Sequence, residues 1–197
     1  MSKNDSFLIK DNIVRARDLL LRVTDILDRN QVIYHLEGGT LLGIVRDGDL
    51  LPWEHDLDIS IPAHQLDRFI RCASELSSLK WILRSRYRFS KKHDAWGDNA
   101  YRLFKIKNRK FIFFSGRFCF DIFVKYEFEN YVYWEAKEKL MRVEKKFYQS
   151  YEEIEYFGKK LKVPNSYKEY LSVKYGDWSI KVKEWDCSRD ELTIINS

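Results

Sequence analysis

The sequence has few cysteines and no long apolar run, and these absences exclude several classes of protein. Its three cysteines (Cys72, Cys119 and Cys187) are widely separated and form no CxxC pair, so neither a zinc ribbon nor a disulfide framework is expected. The start, MSKNDSFLIKDN, lacks the apolar core of a signal peptide, and the most apolar segment, KFIFFSG, is too short to cross a bilayer. Because reduced thiols are typical of the cytosol, the sequence predicts a soluble cytoplasmic protein.

The chain also lacks a strong excess of charge, an internal repeat and a low-complexity segment. Its formal net charge is +5 over 197 residues. This excess is too small to indicate a nucleic-acid partner, but it is compatible with an anionic ligand such as a nucleotide or phosphate, or with peripheral contact to an anionic membrane. Hydrophobic residues make up 45% of the chain, which is typical of a globular protein, so we expect a single domain over residues 1–197.

Hydrophobic spacing predicts an α+β fold with a mixed central sheet flanked by helices. Apolar residues at steps of three and four predict an amphipathic helix over about residues 6–28, capped by Asp5 or Ser6. Short helices are predicted at GTLLGIVRD and AHQLDRFIRCASEL, and strands at QVIYHLE, LDISI, KWILRSRYRF, AYRLFKI, KFIFF and FCFDIFVKYEF. A hairpin and a helix follow over about residues 154–178, and Gly176 stops that helix.

Aspartates interrupt two of the apolar strands. Asp56 and Asp58 are two residues apart, so on a strand they share a face at about 6.5 to 7 Å. Two like charges in a partly dry setting raise one another's pKa or require a cation. Mg²⁺, or Mn²⁺ in its place, is suited to this setting because it takes one or two carboxylates and leaves its other positions to water and substrate phosphates. Asp121, in FCFDIFV, either completes this cluster from a neighbouring strand, caps a strand end, or pairs with a nearby Arg or Lys.

A glycine turn precedes the Asp-x-Asp strand. Gly38, Gly39 and Thr40 lie between a strand and a short helix, where backbone N–H groups and a hydroxyl are suited to phosphate. Gly-Gly-Thr alone is weak evidence, because glycine pairs punctuate many loops. Followed by one strand with Asp-x-Asp and another with Asp, it becomes a strong indication of a phosphate and metal site.

These motifs resemble the LicD/fukutin-related family, whose members have a nucleotidyltransferase-like fold. Residues Gly39 to Ile59 read GTLLGIVRDGDLLPWEHDLDI, close to the family pattern GTLLGxVRxxxxIPWDxDxDI. FDIFV resembles the family's third-aspartate strand, and VPNSYKEYLSVKYGDW resembles its C-terminal segment, so core motifs are expected over residues 34–126. One departure is Glu54-His55, where relatives carry a more acidic pair. His55 either faces outward at the entry of the strand or takes part in catalysis.

The resemblance implies transfer of a phospho-alcohol (phosphocholine, ribitol phosphate or glycerol phosphate) from a CDP-activated donor to a sugar hydroxyl of a surface glycan or its lipid-linked precursor, with release of CMP. Asp56, Asp58 and Asp121 are then the catalytic residues and the Mg²⁺ ligands, with Asp121 either a further ligand or the general base. Two alternatives stay open: an NTP-dependent nucleotidyltransferase that releases pyrophosphate, and a non-catalytic nucleotide-binding module.

Further candidate substrate contacts are Gly38, Gly39, Thr40, Glu37, Arg46, Trp53, Arg102 and Lys105. Arg46 is expected to clamp phosphate, or to be a solvated arginine at the end of a helix. Glu37 contacts the acceptor or accepts a turn N–H, and Trp53 walls the nucleotide pocket or belongs to the core. Arg102 and Lys105 neutralise phosphate or lie on a solvated strand face. Acceptor specificity is assigned to the loop SKKHDAWGDN, expected to be mobile, and to the segment after Tyr126.

Overall fold

The computed structural model describes residues 7, 10–78, 80–89, 91–109 and 115–195. Its helices are α1 (Lys10–Arg29), α2 (Gly38–Asp47), α3 (Leu66–Cys72) and α4 (Tyr167–Tyr175). Its strands are β1 (His35–Leu36), β2 (Asp56–Pro62), β3 (Trp81–Arg88), β4 (Tyr101–Arg109), β5 (Ser115–Phe128), β6 (Tyr131–Ala136), β7 (Lys139–Glu144), β8 (Tyr151–Tyr156) and β9 (Lys159–Pro164). The content is α+β, which confirms the predicted fold class.

The central sheet is mixed and has the order β1-β2-β5-β4-β3, with β6 and β7 continuing from β5. β2 and β5 run parallel, and their register places Asp58 opposite Asp121. The other pairings in this sheet are antiparallel, and β8 and β9 form a separate hairpin. The sequence left open whether LDISI and FCFDIFV are neighbours. The structure pairs them directly.

One face of α1 covers the sheet, as its hydrophobic spacing predicts. Ala16, Leu20, Val23 and Leu27 are fully buried, and they recur at the three- and four-residue steps of an amphipathic helix. The predicted start of this helix near residue 6, with Asp5 or Ser6 as its cap, lies outside the described residues. The strand predicted at KFIFF, residues 110–114, also lies outside them.

The helix predicted at AHQLDRFIRCASEL is shorter than its pattern suggests. Only α3 is α-helical, and 3₁₀ turns precede it at Ala63–Gln65 and follow it at Ala73–Leu76. The buried residues Gln65, Phe69, Cys72 and Leu76 recur at steps of four, three and four, so one buried face continues through these turns and Ile70 lies next to it. The sequence pattern predicts that Leu66, Phe69, Ile70 and Ala73 share the apolar face of this helix. Ile70 is 45% exposed, whereas Phe69 and Cys72 are buried. The prediction for Ile70 was therefore wrong.

The structure also differs from two predictions for local segments in the C-terminal half of the chain. The sequence suggests that KEKLMRVEKK is a solvated charge run, but within it β7 buries Met141 and Val143, because apolar and charged residues alternate with the period of a strand. Asn165 or Ser166 is expected to cap α4 through its side chain. Ser166 occupies the cap position with φ 52°, and its side chain makes no capping hydrogen bond.

The loop at residues 91–99 is anchored by an aromatic stack. Trp96 is 8% exposed, and its ring stacks on that of Phe89 with the centroids 3.8 Å apart. The described helices include none that is long and apolar enough to span a membrane.

Candidate active site

The parallel pairing of β2 and β5 gathers the three predicted aspartates. Asp58 lies opposite Asp121, and Asp56 lies one step along the face, opposite Cys119. All three side chains line a cavity of about 480 Å³. Local pattern predicted the orientation of Asp56 and Asp58, while Asp121 reaches them only through the pairing of distant strands.

The cluster carries more negative charge than its surroundings balance. Burial, followed by the charges of Asp56 and Asp121, raises the pKa of Asp58 well above its ordinary value. Burial and then the charge of Asp121 raise the pKa of Asp56, and Lys105 only partly opposes them. Such shifts arise when like charges share a site of low dielectric constant, and a cation bound there would relieve them.

Glu54 is a fourth carboxylate of this cluster, and sequence reasoning missed it. Burial and the charge of Asp56 raise its pKa from 4.5 to about 7, and it lines the same cavity. A signal was present, because Glu54, Asp56 and Asp58 continue one alternation of acidic residues at steps of two. Among the described residues, the cavity lining does not include His55, which lies between Glu54 and Asp56.

Gly38 and Gly39 are needed where these carboxylates approach the start of α2. Gly38 has φ 55°, and a Cβ placed on it would lie 2.6 Å from Oδ2 of Asp58. A Cβ on Gly39 would lie 3.1 Å from Oε1 of Glu54. Both glycines line the cavity. The positive end of the α2 dipole therefore faces the carboxylates.

Thr40 and Glu37 fix the position of that helix start. The hydroxyl of Thr40 is buried and accepts the Asp58 amide N–H at 2.9 Å, which ties α2 to β2. Glu37 accepts the Gly38 amide N–H through Oε1 at 3.1 Å and is itself buried beside the cavity. The turn N–H acceptor that the sequence offered as one role for Glu37 is thus present. The phosphate contact proposed for Thr40 stays a prediction.

Glu37 is also the centre of a buried charge network that the sequence did not reveal. Nζ of Lys174 donates to its Oε1 at 2.8 Å and lies 2.9 Å from Glu191. Nζ of Lys125 lies 2.8 Å from its Oε2 and 3.2 Å from the centre of the Trp134 ring. Burial alone would raise the pKa of Glu37, but Lys125 and Lys174 lower it well below its ordinary value. The residue therefore stays ionised and holds α2 in place.

Two predicted cations lie on β4 at the cavity wall. Nζ of Lys105 lies 2.5 Å from Oδ2 of Asp121, so the pairing with a nearby lysine, one of the alternatives for Asp121, occurs together with the carboxylate cluster. Arg102 forms an ion pair with Glu135 at 3.1 Å. Both side chains line the cavity.

Arg46 holds the C-terminal segment, residues 177–195, against the cavity. Its guanidinium pairs with Asp47 at 3.1 Å and donates to the carbonyl oxygens of Trp178 and Ile180 at 3.4 Å, and only 7% of the side chain is exposed. The expected solvated helix end is therefore wrong, and the phosphate clamp stays a prediction. Trp53 lines the cavity, with its ring 5.9 Å from this guanidinium.

The C-terminal segment forms one wall of the cavity. The sequence predicts that residues 175–178 pack over the site or at its edge as structural residues, and it does not predict the rest of this wall. The residues that line this wall are Asp177, Trp178, Ile180, Val182, Trp185, Cys187 and Glu191. Just before the segment, Tyr175 also lines the cavity and packs against Trp185 with the ring centroids 4.9 Å apart. Most of these side chains are aromatic or apolar, and Asp177 and Glu191 add two carboxylates.

The donor set suits a hard divalent cation that also binds substrate. Within the described ranges, no group of three or more His, Cys, Asp or Glu side chains is arranged to hold a metal ion. Mg²⁺ does not need such a group, because it keeps several waters and uses one or two carboxylates together with phosphate oxygens. Asp56 and Asp58 fit that requirement, since both are buried oxygen donors whose mutual repulsion raises their pKa. Asp121 lies beside them and is paired with Lys105.

This fold and site define an α+β domain in which an acidic cavity lies between the start of a short helix and two parallel strands. Residues 31–166, more than half of the chain, match the family described as LicD/FKTN/FKRP, nucleotidyltransferase domain. The chain belongs to this family, which confirms the resemblance of its motifs.

Curated relatives match over a shorter stretch. Forty-five residues, 23% of this chain, are 44% identical to ribitol 5-phosphate transferase FKRP of Mus musculus, and the same figures hold for FKRP of Homo sapiens. The aligned stretch spans 9% of each of those proteins.

Proposed function

We propose that this protein is a Mg²⁺-dependent phosphotransferase that moves a phospho-alcohol from a CDP-activated donor to a sugar hydroxyl of a surface glycan or its precursor, releasing CMP. The observation that carries the proposal is the cluster of Asp56, Asp58 and Asp121 on two parallel strands, facing the start of α2 across one cavity. Among the three alcohols, ribitol phosphate is favoured by the similarity to FKRP. The proposed location is the cytosol, with at most peripheral membrane contact.

The acidic strands and the start of α2 would bind different parts of the donor. Asp56 and Asp58 would hold Mg²⁺, which neutralises the charge that develops on the phosphoryl oxygens. Gly38 and Gly39 line the cavity at the positive end of α2, which favours a phosphate group there. Lys105 and Arg102, on the neighbouring strand β4, add positive charge to the cavity wall.

Glu54 is the better candidate for the general base. Both oxygens of Asp121 already have partners, Lys105 on Oδ2 and the Cys119 thiol on Oδ1. Burial is the first cause that raises the pKa of Glu54, and a raised pKa suits a group that takes a proton from an acceptor hydroxyl. We therefore assign the base role to Glu54 and a charge-neutralising or ligand role to Asp121.

The aromatic wall supplies the remaining contact surface. Trp178, Trp185 and Tyr175 line the cavity, and aromatic rings can stack on planar or apolar ligand surfaces. A pyrimidine base or the alcohol part of the donor is suited to this side of the cavity.

The proposal is tested by product release. Purified protein with Mg²⁺ is incubated with CDP-ribitol, CDP-glycerol, CDP-choline or each of the four NTPs, and CMP and pyrophosphate are quantified. The expected result is CMP from one CDP-alcohol, abolished by EDTA and reduced at least about a hundredfold in Asp56→Asn and Asp58→Asn. Asp67→Asn, the same change at an exposed site on α3, is the matched control and should retain full activity.

Pyrophosphate from an NTP would replace this proposal with a nucleotidyltransferase. CMP release that is unaffected by EDTA or by Asp56→Asn would contradict the assigned roles of the carboxylates.

A further inference from the structure

Lys105 occupies an unusual position for a residue expected to bind phosphate. Its ammonium lies 2.5 Å from Oδ2 of Asp121, while the thiol of Cys119 donates to Oδ1 of the same carboxylate at 2.7 Å. The Asp121 side chain is only 9% exposed and that of Lys105 22%. Both oxygens of Asp121 are therefore engaged, inside a cluster that is otherwise rich in negative charge.

The other groups that face Lys105 keep its charge at this place. Its Nζ lies 3.8 Å from Sγ of Cys119 and 5.8 Å from the centre of the Tyr87 ring. Burial opposes the charged form, but Asp121, Cys119 and Asp58 favour it, so Lys105 is a stable cation within the cluster. Two cations at one carboxylate repel each other, so a metal ion that approaches Asp121 meets the ammonium already there.

We infer that Lys105 is a built-in counter-ion of the metal-free site, which a divalent ion displaces from Asp121 and which then binds an anionic oxygen of the donor. The stem of a lysine is flexible, with four methylene groups, so the ammonium can move within the cavity that both side chains line. Lys105 is therefore a positioning residue that couples the arrival of the metal to the binding of the donor. This inference rests on the proposed function.

The test measures metal binding rather than turnover. Protein stripped of metal is titrated with Mn²⁺, and free Mn²⁺ is followed by its electron paramagnetic resonance signal. Lys105→Gln is expected to bind Mn²⁺ about tenfold more tightly than the wild type, because the competing cation is gone. Lys107→Gln removes the same charge from the same strand at a position opposite Cys119 rather than Asp121, and it should change the affinity by less than about twofold.

A double-mutant cycle separates competition at Asp121 from a general change of potential. In an Asp121→Asn background, Lys105→Gln should no longer tighten Mn²⁺ binding, because no shared carboxylate remains. With Mn²⁺ saturating, Lys105→Gln should weaken the binding of CDP about tenfold, the opposite sign to its effect on the metal. If a variant is too unstable without metal, it is prepared with Mn²⁺ bound and the Mn²⁺ is removed by adding EGTA. The variants are expected to show the same order of Mn²⁺ affinities as in the direct titration.

The outcomes separate this inference from the proposed function. If the wild type binds no Mn²⁺, both are overturned. If the wild type binds Mn²⁺ but Lys105→Gln binds Mn²⁺ no more tightly, only the role of Lys105 is overturned. The same holds if Lys105→Gln increases the Mn²⁺ affinity as much in the Asp121→Asn background as it does in the wild type.

Discussion

At the scale of single residues, the space beside Gly38 controls the position of a carboxylate. The backbone there has φ 55°, and the side chain of Asp58 fills the place where a Cβ would be. Glycine is needed at this position both for the backbone conformation and for the close approach.

Gly38→Ala is therefore expected to damage both stability and activity. The strained backbone alone costs about 1–2 kcal/mol, and displacement of Asp58 should lower CMP release at least about a hundredfold. Thermal unfolding and the release assay measure the two effects. Gly97→Ala is the control, because a Cβ at Gly97 meets no atom within 4 Å. Equal behaviour of the two variants would contradict the packing described here.

Glu54 gives the metal-free protein a specific dependence on pH. Its pKa in the folded state is raised from 4.5 to about 7, so the folded state binds the proton more tightly than the unfolded state. The stabilisation is complete below pH 4.5 and is lost as the pH rises through 7. In Glu54→Gln this loss is absent, so we expect a flatter stability profile and a gain of about 3 kcal/mol over the wild type at pH 8.

Urea denaturation in EDTA between pH 4.5 and 8 measures this profile. Glu155→Gln, the same change at an exposed position on β8, should follow the wild type. A Glu54→Gln curve parallel to that of the wild type would show that the carboxyl is not buried as described.

At the scale of elements, Arg46 joins α2 to the C-terminal segment. Its hydrogen bonds to the carbonyls of Trp178 and Ile180 hold the aromatic wall beside the acidic cluster. The sequence suggested that Arg46 binds phosphate. A substitution of Arg46 distinguishes phosphate binding from a role in holding the C-terminal segment, because the two roles predict different effects.

Arg46→Met is expected to loosen the wall while leaving the carboxylates in place. Amide hydrogen exchange in residues 177–182 should accelerate, and CMP release should fall by about fivefold to tenfold, less than the loss expected from a carboxylate. Arg29→Met is the control, since Arg29 forms a similar but exposed ion pair with Asp25. A loss of a hundredfold with unchanged exchange would instead support the clamp.

The elements that the sequence predicts well are those fixed by neighbouring residues. The helix α2 and the alternation in β2 follow from steps of two to four residues, and both are present. Gly38 and Gly39, predicted as a turn before the helix, are its first two residues. The network around Glu37 could not be predicted, because Lys174 and Lys125 come from distant parts of the chain and local sequence does not show that they meet Glu37. The pairing of Asp121 with Lys105 was foreseen only as an alternative to the cluster, whereas the structure contains both.

At the scale of the whole molecule, the active site opposes the stability of the fold when no metal is bound. Asp58 is desolvated among Asp56, Asp121 and Glu54, and such strain is commonly kept at functional sites.

Asp58→Asn is therefore expected to stabilise the protein in EDTA at pH 8, by about 1–2 kcal/mol. Wild-type protein should gain about 2.7 kcal/mol when Mg²⁺ is present at a hundred times its dissociation constant, and the variant should gain much less. Thermal unfolding with and without Mg²⁺ measures both effects, with Asp67→Asn as the control. A variant less stable than the wild type in EDTA would argue against an uncompensated cluster.

The carboxylates meet through two strands that are separated in the chain by α3, β3 and β4. Contacts between such distant segments form slowly, because a long loop must close before they are made. When β2 docks on β5, four acidic side chains lose water together, so the closing sheet must take up protons or a cation. We therefore expect the folding rate of the central sheet to depend on pH and on divalent ions, while the hairpin of β8 and β9 forms independently of both.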